Sequence, residues 1–182
     1  VTNAKSSDVA YTSFENDGNT SWSDIVPANI EASTITVSGS KSYNLTPAGL
    51  KRNGLNTATN YVVTYWSKNG AYTIAGTSGS VKQGKTVTFN GNTWTFYEHL
   101  VTGQSTITVS GTGKIDELRL YPKGSLMSTY TYSPLVGVTS TCDGNDMFGY
   151  YEYDGFNRLK LIRDFERNVI KTFEYKYQEA QQ

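Results

Sequence analysis

The chain has 182 residues, with 16 Lys and Arg against 16 Asp and Glu, a formal net charge of zero and a mean hydropathy of -0.47. That balance excludes a nucleic-acid binder driven by phosphate neutralisation and a polybasic membrane-surface module. No run approaches the roughly 20 apolar residues that a spanning helix needs, which excludes helical membrane insertion. A single cysteine, Cys142, excludes an internal disulfide framework, and a single histidine, His99, excludes a His-cluster metal site. The polar opening Val1–Asp8 has no signal-like apolar core, as expected of a processed chain or of a piece of a longer one.

Tyr (14) and Gly (17) stand out among many Thr, Ser, Asn and Val, a strand-and-turn vocabulary poor in helix formers. In chain order, period-two β runs are expected at Ile35–Val37, Tyr61–Trp66, Ala71–Ile74, Thr86–Phe89, Trp94–Tyr97, Thr106–Val109 and Ile115–Leu120. Pro47–Gly54 has room for one helical turn at most. Asn69-Gly70 predicts a hairpin, because both residues tolerate the positive φ of a type I′ turn; Asn90-Gly91 reads the same way. Many short strands at this spacing suggest a β-sandwich or jelly roll.

Gly79–Thr86 satisfies G-x-x-x-x-G-K-[ST] letter for letter. A phosphate-binding loop needs a buried strand before it and a helix after it, whereas Val87–Asn92 reads as strand and turn, so the match is set aside. For catalysis, His99 is the only imidazole and no nucleophile elbow is present. Cys142 reads as an incidental turn residue rather than a nucleophile. The expectation is a non-enzyme.

Composition shifts near Pro122-Lys123-Gly124: residues 1–122 carry 17 charges and residues 123–182 carry 15, with 11 of the 24 aromatics in the shorter part. A boundary is expected there, giving domains 1–122 and 123–182. The second part repeats. Tyr130-Thr131-Tyr132, Tyr151-Glu152-Tyr153 and Phe173-Glu174-Tyr175 recur at 21 and 22 residues, and the same alignment superposes Val138 on Leu159 and Asp143 on Asp164. Each unit reads strand, turn, strand, turn: an antiparallel ribbon that buries too little by itself and must pack on something.

The segment Tyr151–Asp164, with Phe173–Tyr177 after it, resembles the YD repeat of RHS/YD-repeat proteins, a pattern of roughly Y-x-Y-D-x-x-G-R-L, four residues, D-x-x-G. Asn157 and Asn168 stand at the usual glycine positions, Ser133 replaces Asp in the earlier unit, and Gly137 replaces Arg. The resemblance, over residues 130–177, implies a bacterial, surface-exposed or secreted protein whose hairpin repeats are scaffold.

A second resemblance rests on Ser13–Gly18 followed by Trp22, on Leu55, on Asn60–Lys68, on Trp94–Tyr97 and on Lys114–Leu120. In order and spacing these are similar to carbohydrate-binding-module jelly rolls of the families four and nine type, over about residues 8–122. The likeness implies a structural calcium held by Glu15 and Asp116, with Asp17 and Glu117 in reserve; such an ion takes about 6–8 hard oxygens. It also implies glycan recognition on aromatic faces, for which Tyr43, Tyr65, Trp66, Tyr72 and Tyr97 are the candidates. Trp22 and Trp94 fall at core positions, and alternation lets only one of Tyr65 and Trp66 face the core.

The combined expectation is an all-β chain: a galactose-binding-like jelly-roll sandwich followed by a YD-repeat ribbon. Its role would be a non-catalytic binding or adhesion module of a larger bacterial surface or secreted protein, taking glycan. The alternative is a structural or protein-interaction module that caps upstream repeats, and the third reading is a fragment of an RHS-type toxin.

Overall fold

A computed structural model describes residues 1–15, 21–32 and 35–176. Asp17, the reserve calcium ligand, and Tyr177 of the repeat lie outside the described residues. The chain is all-β and antiparallel, divided into two compact units at Met127/Ser128, five residues past the expected boundary. Among the described residues no helix is long and apolar enough to cross a membrane.

In the first unit the strands, in chain order, are β1 (Ala10–Thr12), β2 (Ile30–Ala32), β3 (Lys41–Leu45), β4 (Leu50–Arg52), β5 (Tyr61–Ser67), β6 (Thr73–Ile74), β7 (Lys82–Phe89), β8 (Asn92–Val101), β9 (Ile107–Ser110) and β10 (Gly113–Pro122). One sheet has the order β2-β3-β10-β5-β8-β7, with β1 also on β10; the other is β4-β9-β6. Alternate side chains of both sheets meet in one core that includes Leu45, Leu50, Tyr65, Ile74, Val109, Ile115, Leu118 and Leu120. This is a sandwich architecture, in which facing sheets bury one side each.

β5 alternates as expected, with Tyr65 and not Trp66 in the core between the sheets, yet all seven of its residues are buried, so its other side is covered as well. On the core side Tyr65 stacks on Tyr72 and Tyr97 at 5.3 and 5.8 Å. On the other side Trp66 meets Phe96 edge-on at 5.6 Å. Trp94 donates its indole N–H to the Ile35 carbonyl at 3.1 Å, tying the segment 35–40 to this side of the sheet.

Three local expectations change. Ile35–Val37 is a loop rather than a strand, and Pro47–Gly54 contributes β4 rather than a helical turn. Asn69-Gly70 does not close a hairpin, because β6 belongs to the other sheet. There the Asn69 side chain accepts the Lys114 N–H at 2.9 Å, in the space that Gly113 leaves by having no Cβ. The real hairpin is Asn90-Gly91, both at positive φ, joining β7 to β8 at Phe89↔Asn92. The nucleotide-loop look-alike Gly79–Thr86 runs into β7, with strand where a helix would have to start.

The second unit, Ser128 onward, is a five-stranded meander: β11 (Thr129–Ser133), β12 (Gly137–Cys142), β13 (Phe148–Tyr153), β14 (Leu159–Arg163) and β15 (Val169–Thr172). Three of its four turns repeat one device. Asp143 Oδ1 accepts the N–H groups of Asn145 and Met147 at 2.8 and 3.0 Å. Asp154 does so for Phe156 and Arg158 at 2.9 and 3.0 Å, and Asp164 for Glu166 and Asn168 at 3.0 and 2.8 Å. A short carboxylate is the side chain that folds back on its own turn in this way, which is why Asp recurs here. Three residues after each Asp the chain takes positive φ, at Asp146, Asn157 and Arg167. The second glycine-type position is therefore Arg167, not Asn168.

Candidate functional site

The two carboxylates assigned to calcium do converge. A bulge in β10 between Asp116 and Arg119 breaks alternation and buries three charged residues in a run of four. Asp116 Oδ2 accepts the N–H groups of Val37 and Ser38 at 3.0 and 2.9 Å, and Oδ1 accepts from the Ser38 hydroxyl and the Glu117 N–H. Glu15 grips the same loop one turn further on. Its Oε1 accepts the N–H groups of Ser40 and Lys41 at 2.7 and 2.5 Å, and its Oε2 accepts from the Ser40 hydroxyl. Segment 37–41 is thus clasped from both ends by carboxylates 101 residues apart in sequence.

Glu117, at φ 52°, turns instead to Arg119 (3.0 Å) and to the Tyr11 hydroxyl (2.7 Å). As a reserve ligand it is already committed to a buried ion pair. Burial, aided by Glu117, raises the Tyr11 phenol far above its ordinary pKa. Asp116 has no ion pair with a cation among the described residues, and burial, then the Glu117 carboxylate, pushes its pKa well up. A fully buried carboxylate flanked by two others is a place where a hard cation would relieve repulsion. Glu15 and Asp116 are hard oxygen donors of the kind calcium takes, but their oxygens already accept N–H and O–H groups of segment 37–41 and of Glu117, and the described residues assemble no cluster of three acidic, His or Cys ligands. The Lys41 ammonium already supplies part of the positive charge, donating to the Glu15 carbonyl at 3.0 Å. Arg119 and Lys41 were not singled out from sequence; the signal available was Asp116-Glu117-x-Arg119 inside an otherwise apolar strand.

The five aromatic candidates for sugar stacking are all buried: Tyr43 2%, Tyr65 0%, Trp66 0%, Tyr72 6% and Tyr97 8% exposed. Each ring packs on protein, with Tyr43 on Phe14 at 5.0 Å, so none offers a face to a pyranose. The alternation argument assumed one solvated face for the sheet, and β5 and β8 have little of one. As a sugar platform this set is corrected to core.

His99 is buried with them and forms a directed network. The Thr77 hydroxyl donates to the Ile74 carbonyl at 2.7 Å, so it accepts from His99 Nδ1–H at 3.0 Å. Nε2 is then left to accept the Tyr65 hydroxyl at 2.9 Å, while Tyr65 accepts the Tyr72 N–H at 2.7 Å. Burial lowers the imidazole pKa to about 4 and pushes the Tyr72 phenol up to about 12. A neutral imidazole with both nitrogens engaged is a structural linchpin rather than a general base.

Displayed apolar side chains concentrate elsewhere. Among the described residues, Tyr130, Tyr132, Leu135, Met147, Phe156, Val169, Ile170 and Tyr175 of the second unit are exposed, against Val1, Val26 and Leu126 of the first. Tyr130 and Tyr132 alternate with buried Thr129 and Thr131, so both rings leave β11 on one face. No protein-family model matches this chain, and no curated protein matches it.

Proposed function

We propose that the chain is a non-catalytic binding and adhesion module of a larger bacterial surface or secreted protein, with the meander as its binding part. The observation that carries this is the contrast in display: the first unit encloses nearly all its large apolar side chains, and the second leaves eight exposed. Exposed apolar side chains in this number are a resource for interaction surfaces. The YD-repeat resemblance supports the bacterial and extracellular setting, and the jelly-roll resemblance supports a calcium held by Glu15 and Asp116. Calcium would supply a fixed positive charge that fastens segment 37–41 to the sheet.

Protein is the first ligand class under this reading. Glycan is the second, favoured by the two rings of Tyr130 and Tyr132 on one face of β11. The test applies fluorescently labelled full chain to bacterial cells and to a glycan array, beside a variant carrying Tyr130→Ser, Tyr132→Ser, Phe156→Ser and Ile170→Ser. A roughly tenfold loss of cell binding by a still-folded variant is expected. Array signal lost in the same variant would assign the ligand to sugar. Binding equal for the two proteins, or absent from both, would refute the proposal.

A further inference from the structure

The two later repeat units share a contact that the first one lacks. The Tyr153 hydroxyl, on β13, donates to the Val138 carbonyl of the preceding strand β12 at 2.9 Å. One repeat on, the Tyr175 hydroxyl donates to the Leu159 carbonyl of β14, also at 2.9 Å. The residue before each acceptor completes the seat. At Gly137 a Cβ would lie 2.7 Å from the Tyr153 hydroxyl, so the ring occupies the space that glycine leaves. At Arg158 the guanidinium lies over the Tyr175 ring at 4.3 Å. The seat is therefore Gly-Val or Arg-Leu at the start of an antiparallel strand, closed by a tyrosine in the next strand (Tyr153) or three residues past it (Tyr175).

Tyr132 is the equivalent tyrosine of the first unit, 21 residues before Tyr153. Among the described residues its strand, β11, pairs only with β12, and Tyr132 is 60% exposed. The hydroxyl that should reach a preceding strand has none in the sheet. A second copy of this chain offers no open strand beginning Gly-Val or Arg-Leu, because β12 and β14 are each paired on both sides and its open edge strand, β15, begins Val169-Ile170. An exposed edge with unused N–H and C=O groups is a template for strand addition.

We infer that the outer edge of β11 docks an extended strand of a partner protein, antiparallel, opening with Arg-Leu or Gly-Val and covering Tyr132. This rests on the reading of the meander as the binding part and names the partner's chemistry. The probe is a fluorescein-labelled peptide copying residues 157–164, Asn-Arg-Leu-Lys-Leu-Ile-Arg-Asp, titrated with full chain by fluorescence anisotropy. Saturable binding is expected, absent for a scrambled peptide and weakened about fivefold by Tyr132→Phe, the loss of one net hydrogen bond. Tyr132→Phe should leave the melting temperature unchanged, whereas Tyr153→Phe, whose bond is internal, should lower it and spare peptide affinity. Equal binding of the scrambled peptide, indifference to Tyr132→Phe, no saturable binding, or sedimentation as a dimer through this edge would each overturn the inference. Cell binding that survives such a failure would leave the broader proposal standing, which separates the two.

Discussion

The two units spend the same aromatic vocabulary in opposite ways. In Val1–Met127, Tyr and Trp are the core: Tyr43, Tyr65, Trp66, Tyr72, Trp94 and Tyr97 are enclosed by pairings between strands far apart in sequence. From Ser128 on, every described strand pairs with its sequence neighbour, three of the four turns are closed by their own Asp, and several aromatics stay outside. The lesson is that aromatic content says little about display; what decides is whether a strand has covered faces on both sides. A central strand such as β5 turns an aromatic run into core, while an edge strand such as β11 turns it into surface.

The most forceful way to break this contrast is Trp94→Ala. Deleting a fully enclosed indole should cost about 3–5 kcal/mol and abolish the cooperative unfolding of the first unit. Phe156→Ala, at a ring 75% exposed, should instead leave thermal unfolding within about 0.5 kcal/mol of the parent. Calcium sharpens the contrast from the other direction. At 100 times its dissociation constant the ion should stabilise the first unit by about 2.7 kcal/mol, visible as a rise in melting temperature that EDTA reverses. Asp116→Asn should remove that response, and a parent melting temperature indifferent to both additions would remove calcium from the account.

His99 gives a smaller, pH-dependent effect. Its folded pKa, near 4, lies below the ordinary 6.5, so the unfolded chain binds more protons between the two values. The neutral network is fully stabilising above pH 6.5 and is lost as pH falls toward 4, by about 2 kcal/mol after allowance for partial solvent access. Asp116 acts with the opposite sign, since its raised pKa makes the ionised form less favourable in the fold as pH rises above 4. Urea titrations at pH 4.5 and 7 on the parent and on His99→Gln check this; the variant should show the smaller difference. Least in size is Asp154→Ala, which should speed amide exchange at Phe156 and Arg158 while leaving the turns at Asp143 and Asp164 protected.

Much of this was legible beforehand. Alternation and turn residues pointed to an antiparallel all-β chain, and pattern likeness singled out Glu15 and Asp116, which the fold brings to opposite ends of one loop. Other features were not readable from local sequence. Asn69-Gly70 and Asn90-Gly91 are the same dipeptide, and only long-range pairing decides that the second closes a hairpin while the first hands the chain to another sheet. The enclosure of Trp66 depends on neighbours on both sides of β5, which no local window contains. Arg167 at positive φ hides the glycine-type position because Arg is an unusual occupant, and the adjacent Asn168 draws attention away from it.

Hydroxyl-radical footprinting of the intact chain, read by mass spectrometry, tests most directly whether the aromatics are divided in this way. Oxidation should fall on Tyr130, Tyr132 and Phe156, with Tyr43, Tyr65, Trp66, Tyr72 and Tyr97 protected until the chain unfolds. Native-state labelling of Trp66 and Tyr72 at rates matching Tyr132 would contradict the account and return the binding face to the first unit.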